Sequence, residues 1–193
     1  MIIAHEHIHK IRLKEIIFVL VVAFLISLLL LLNNYLFTDS VLFIIALVLL
    51  IIGMNLVVYV TQKSGIATLF FIFTSFGTIF INDLGILGWR KIIVFLIATF
   101  IFELFFLILK FHPHNIQLDV ILGSSFAITS IPLVAAFLLS PGLASNFPTI
   151  LLNIIVLAFF VGLVAAFTTF LIWHSLESKK FILKLKSYLM DLH

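Results

Sequence analysis

The stretch IIFVLVVAFLISLLLLLNNYLF, residues 16–37, carries no charge and is built mostly from Leu, Ile, Val and Phe. A hydrocarbon core about 30 Å thick is crossed by roughly 20 helical residues, with about 17 as the practical minimum. Working outward from it, five further apolar runs follow: Val41–Val60, Ile66–Asn82, Ile92–Leu109 (interrupted once, by Glu103), Val120–Leu139 and Thr149–Trp173. Each reaches the required length, the third only just. Lipid offers no partner to a backbone N–H or C=O, so runs of this length and composition read as helices. The expected fold is all-α: a six-transmembrane-helix bundle over residues 1–193, ending in an amphipathic helix over 176–193.

The composition agrees, with 64% hydrophobic residues and 10% charged ones. The spans and their short connections use up the chain, so a single membrane domain is expected and no separate soluble one. The 23 Phe suit a lipid-facing surface. With no Cys in the sequence, thiol nucleophiles, disulfides and thiolate metal sites are excluded together. The first run is too long for a signal-peptide core and lacks a small-residue exit, so no cleavable leader is expected.

Orientation follows from the basic residues. Six crossings place the amino terminus, the second and fourth connections and the carboxyl tail on one side, with Lys10, Arg12, Lys14, Lys63, Lys110, Lys179, Lys180, Lys184 and Lys186. Only Arg90 and Lys91 fall on the other side. Short cytoplasmic loops carry the excess of Lys and Arg, so both termini are expected in the cytoplasm, with the chain multi-pass in the cell membrane. This topology accounts for the formal charge of +3 without nucleic acid. His5, His7, His9, His112, His114, His174 and His193 all fall on the same side as the termini.

The connections carry turn formers: Asn33 and Asn34 in the first, Gln62 to Gly65 in the second, Gly85 and Gly88 beside an interfacial Trp89 in the third, and two prolines with a glycine in the fifth. Ala158, Gly162 and Ala166 recur every four residues and offer a smooth face to a neighbouring helix. Pro132, beside Thr129 and Ser130, predicts a kink in the fifth span. In the tail, Phe181, Ile182, Leu185, Tyr188, Leu189 and Leu192 share one helical face, with Lys179, Lys180 and Lys184 elsewhere. A basic helix of this pattern lies in the interface of an anionic leaflet, or extends the sixth span, or binds a partner.

Few residues offer chemistry. His5-Glu6-His7-Ile8-His9 matches the H-E-x-x-H zinc-protease pattern. It sits in a polar terminal segment, however, and not on a packed helix that excludes water. His5 and His9 with His112 and His114 form a four-imidazole metal site in principle, and no cofactor is expected. Glu103 is the one ionisable residue deep in a span, about 10 Å below the end of the fourth helix. At that depth a carboxyl is protonated or finds a donor. Thr99, one turn away on the same face, and Asn55, at similar depth on the second span, are the available partners. Glu103 then serves proton coupling, cation binding or headgroup recognition, or is simply paired within the bundle or snorkels to the near surface. Asp39, Asp83 and Asp119 lie at span ends and are expected to be solvated.

Several stretches carry a family likeness. Arg12-Leu13-Lys14-Glu15 is a basic segment ending in an acid just before the first span, and Gly53-Met54-Asn55-Leu56-Val57 leads to a Gln62-Lys63-Ser64-Gly65 exit. Gly88-Trp89-Arg90-Lys91-Ile92-Ile93 opens a later helix, and Ile128-Thr129-Ser130-Ile131-Pro132-Leu133 carries a proline within another. In this layout the chain resembles the short, six-span, prokaryotic site-2 protease-like membrane metalloproteases. Gly53, Met54 and Val57 stand where the family places His, Glu and His, and no Asp follows Pro132. The resemblance therefore implies a pseudoprotease, with no catalytic residue carried over.

The leading expectation is thus a non-catalytic six-span protein acting by binding within the bilayer, as a pseudoprotease-like scaffold or a subunit alongside other membrane proteins. A small transporter or channel using Glu103 is the second reading. A lipid-modifying enzyme is the third, disfavoured because no cluster of Asp, His or Arg gathers at one interface.

Overall fold

A computed structural model of the chain describes residues 11–37, 39–109, 117–139 and 148–190. Among these residues every regular element is an α-helix: α1 (Leu13–Leu36), α2 (Asp39–Thr61), α3 (Ile66–Gly77), α4 (Trp89–Ile108), α5 (Leu118–Leu139), α6 (Pro148–Leu176) and α7 (Lys180–Met190). Five of these, α1, α2, α4, α5 and α6, are long and apolar enough to cross a membrane. Large apolar side chains such as Phe24, Phe100, Phe160, Val164 and Ile172 are exposed along them. A soluble monomer rarely leaves so much contiguous apolar surface uncovered. The bundle is that of a membrane-embedded protein in contact with lipid.

From α1 to α6, helices adjacent in sequence pack against one another, and α1 also packs on α3 and α2 on α6. Asn33 Nδ2 donates to the Leu42 carbonyl at 2.9 Å and closes the α1–α2 turn. Phe70 of α3 lies against Gly53 of α2, and Phe102 and Phe105 of α4 lie against Gly123 of α5. Gly162 of α6 meets the Ser125 backbone of α5. Ala158, Gly162 and Ala166 are all buried, so the smooth face read from their spacing is a helix-packing face. At one end of the bundle Glu15 reaches back to the Arg12 amide at 2.8 Å, starting α1 as a capping box does. Its other oxygen pairs with Lys63 of the α2–α3 hairpin at 2.6 Å. This end, with the hairpin, the close of α4 and α6, and α7, is called the basic end below.

Gly53 shows how tightly α1, α2 and α3 meet. A Cβ there would stand 2.6 Å from both Ile26 Cγ1 and Phe70 Cζ. Gly53→Ala is therefore expected to destabilise the fold by about 1–3 kcal/mol through overpacking, although Ala is the better helix former. Denaturant titration of the detergent-solubilised protein checks this; a variant as stable as the parent would show that the seam can open.

Two sequence expectations change. The third apolar run does not stay helical to Asn82: α3 stops at Gly77 after 12 residues, about 18 Å of helix. Hydropathy alone misses this because Thr78 to Leu87 remain largely apolar, while their carbonyls are drawn to a buried ammonium group described below. Asp83 and Asp119, expected to be solvated, are each only 1% exposed. In the fifth span α5 runs as helix through Pro132. Thr129 and Ser130 donate to the carbonyls of Ser125 and Ala127, and not to that of Ile128, which the proline frees.

Helix α7 packs back on the bundle. Ile182 and Leu185 lie against the core and Leu189 is buried. Phe181 and Tyr188, grouped with them on sequence, remain 74% and 62% exposed. Leu192 lies outside the described residues.

Candidate functional site

The polar interior is organised around the short helix α3, which is held at both ends by side chains of α4. Its first turn follows the hairpin Gln62–Gly65. Gly65 takes a left-handed conformation, φ 82°, that an L side chain adopts only with strain. Turning this way, Gly65 points its N–H at α4, where Glu103 Oε1 accepts it at 2.8 Å. The Thr68 amide, one turn into α3, faces the same carboxyl group. The first amides of a helix have no partner within it and must find one outside it. Glu103 supplies one from a neighbouring helix, where the positive end of the α3 dipole also favours it. Its second oxygen, Oε2, is buried and has no hydrogen-bond partner.

The far end of α3 is closed by Lys91, in the first turn of α4. Its ammonium group is fully buried and has three donors. Two go to the carbonyls of Thr78 and Ile81, each at 3.1 Å, and the third to Asp83, with which it also forms an ion pair. The segment is folded over this cation. Thr78 and Ile81 are themselves joined by a turn, and Gly88 donates to the Ile79 carbonyl at 2.9 Å. Gly88 is at φ 70°, ψ −152°, a region open essentially to glycine alone. Burial pushes the Asp83 carboxyl above the usual carboxylate range, and the Lys91 charge and hydrogen bond oppose that shift.

Of the residues singled out on sequence, Glu103 faces the bundle but bonds to Gly65, and no hydrogen bond joins it to Asn55 or Thr99. Thr99 is buried and donates to the Leu96 carbonyl of its own helix at 2.9 Å. Asn55 is fully buried, and neither its Nδ2 nor its Oδ1 has a partner. His5, His9, His112 and His114 lie outside the described residues. Among the described residues no three His, Cys, Asp or Glu side chains gather as a metal site. Comparison of the chain with protein-family models, with curated proteins and with solved structures gives no match.

Sequence reasoning missed the Asp83–Lys91 pair. Asp83 reads as a loop residue and Lys91 as an outer-side basic residue, and both types usually stay in water. The available signal was the apolar context: an acid and a base eight positions apart, separated mainly by Gly, Leu, Ile and Trp.

The basic end carries a second polar arrangement. The Tyr59 ring of α2 stacks on Trp173 of α6 at 5.8 Å and lies tilted against Phe170 at 6.4 Å. The Lys186 ammonium of α7 sits 4.9 Å above the Trp173 ring and pairs with Glu177 at 2.8 Å. Lys14 lies 4.6 Å from the ring centre of Tyr188, joining α7 to α1.

Proposed function

We propose that this is a six-crossing integral membrane protein with both termini in the cytoplasm, acting without catalysis as a pseudoprotease-like binding protein or a subunit of a membrane complex. One observation supports the six-crossing count: α3 extends from the level of Glu103 to the level of Lys91 on α4, about 18 Å along that 20-residue helix, and both of its ends are capped by α4 side chains. A 12-residue helix alone is too short to cross, but non-helical backbone at membrane depth is tolerated where protein satisfies it. With α3 as the third crossing, nine basic residues segregate to one side and two to the other, in keeping with a positive cytoplasmic face.

The binding role is supported by how the polar groups are used. Glu103 and Lys91 bond to the chain's own backbone. Gly53, Met54 and Val57, where the protease-like layout would place its metal ligands, are buried packing positions. The tail helix fits the same reading. Lys179, Lys180 and Lys184 are exposed beside Phe181, as suits an amphipathic helix lying on an anionic cytoplasmic leaflet.

Reporter fusions after Lys63 and after Ser145 test the topology: they are expected on opposite sides of the membrane, and finding them on the same side would remove α3 as a crossing. One observation favours the second reading, a small transporter or channel, namely the unpartnered Oε2 of Glu103. Proton or monovalent-cation flux in liposomes that disappears in Glu103→Gln would establish it over the binding role.

A further inference from the structure

We propose that the seam between α2 and α6 holds ordered water bound by Asn55 and, one turn nearer the basic end, by the Tyr59 hydroxyl. Asn55 and Tyr59 are four residues apart and share one face of α2. That face turns about 200° away from Gly53, which is occupied by α1 and α3. Tyr59 meets α6 through Phe170 and Trp173. In the six-crossing reading proposed above, α2 and α6 run the same way, so one turn back Asn55 comes level with Ala166 and Thr169.

Both side chains are fully buried, and three of their polar atoms have no hydrogen-bond partner: Asn55 Nδ2, Asn55 Oδ1 and the Tyr59 hydroxyl oxygen. Buried polar groups in folded proteins are almost always satisfied, by protein or by ordered water. No described protein group hydrogen-bonds to them: the buried Asp119 carboxylate of α5 lies near enough to act electrostatically on the Tyr59 hydroxyl but makes no hydrogen bond to it. The nearby Thr169 hydroxyl already donates to the Ala165 carbonyl at 2.6 Å, leaving only its lone pairs. The amide offers donors and an acceptor, and the phenol offers one of each. A ligand that both gives and takes hydrogen bonds matches that set, and water is the smallest that does.

The seam carries the buried Ala166 and Thr169 on its α6 side. Its exit is closed at the basic end, where Trp173 stacks on Tyr59 and Lys186 covers Trp173. Water bound below that stack is held from bulk solvent, as conserved internal waters are.

X-ray radiolytic footprinting of the full chain in lipid nanodiscs tests this, because hydroxyl radicals formed from bound water oxidise the side chains beside it. Tyr59 is expected to oxidise well above Phe70 and Phe71, which are equally buried but lie in an apolar seam. Asn55→Leu, which keeps the volume and removes the hydrogen bonds, is expected to lower Tyr59 oxidation toward their level while exposed Tyr188 is unchanged. Tyr59 oxidised no faster than Phe71 in the parent protein would overturn the site. Rapid Tyr59 oxidation that persists in Asn55→Leu would overturn the role of Asn55.

Discussion

Lys91→Met is expected to destabilise the folded protein by about 3–5 kcal/mol, because it leaves the Asp83 carboxylate buried without its cation. The cost exceeds that of an ordinary surface pair, worth about 0–1 kcal/mol, because neither partner reaches water. The substitution also strips a donor from the carbonyls of Thr78 and Ile81, so α3 loses the group that ends it. Asp83→Asn is expected to cost less, since the ammonium group keeps both carbonyls. The double variant Asp83→Leu with Lys91→Met should recover part of the loss: the charges are gone together, but the two carbonyls remain without the ammonium. Unfolding of each variant in mixed micelles measures this series. A Lys91→Met protein within about 0.5 kcal/mol of the parent would mean that the pair is hydrated and the burial argument fails.

Glu103→Leu is expected to cost about 1–3 kcal/mol by removing the charged acceptor of the half-buried Gly65 amide. Glu103→Gln keeps a carbonyl oxygen in the same place and should lie within about 1 kcal/mol of the parent, as an ordinary neutral hydrogen bond does. The contrast between the two separates capping from charge. If the Gln variant is as damaged as the Leu variant, the negative charge at the α3 terminus carries the effect and not the hydrogen bond. If both are neutral, the α2–α3 hairpin draws its stability from elsewhere, with the Glu15–Lys63 pair the nearest candidate.

The reach of the amino-acid sequence differs from residue to residue. An uncharged run such as residues 16–37 has few alternatives in lipid, because only a helix satisfies its own backbone, and α1 forms there. The four-residue spacing of Ala158, Gly162 and Ala166 likewise determines a face, since helix geometry is local, and the structure packs α5 against it. Glu103 was legible as an intramembrane acid that needs a donor. Its partner was not, because Gly65 lies 38 positions away and contributes only a backbone amide, which has no side-chain signature.

Length and hydropathy, then, determined a helical membrane protein and the approximate place of its long helices, because both depend on the chain's local exchange of water for lipid. Tertiary structure decided where α3 ends, that Asp83 and Lys91 are buried together, and that Asn55 and Tyr59 are buried with unpartnered polar atoms. These depend on which distant groups meet: the carbonyls of Thr78 and Ile81 leave the helical pattern because a lysine from the next helix binds them. An ion pair or a helix cap supplied across the bundle is a property of packing, and composition within a run does not encode it.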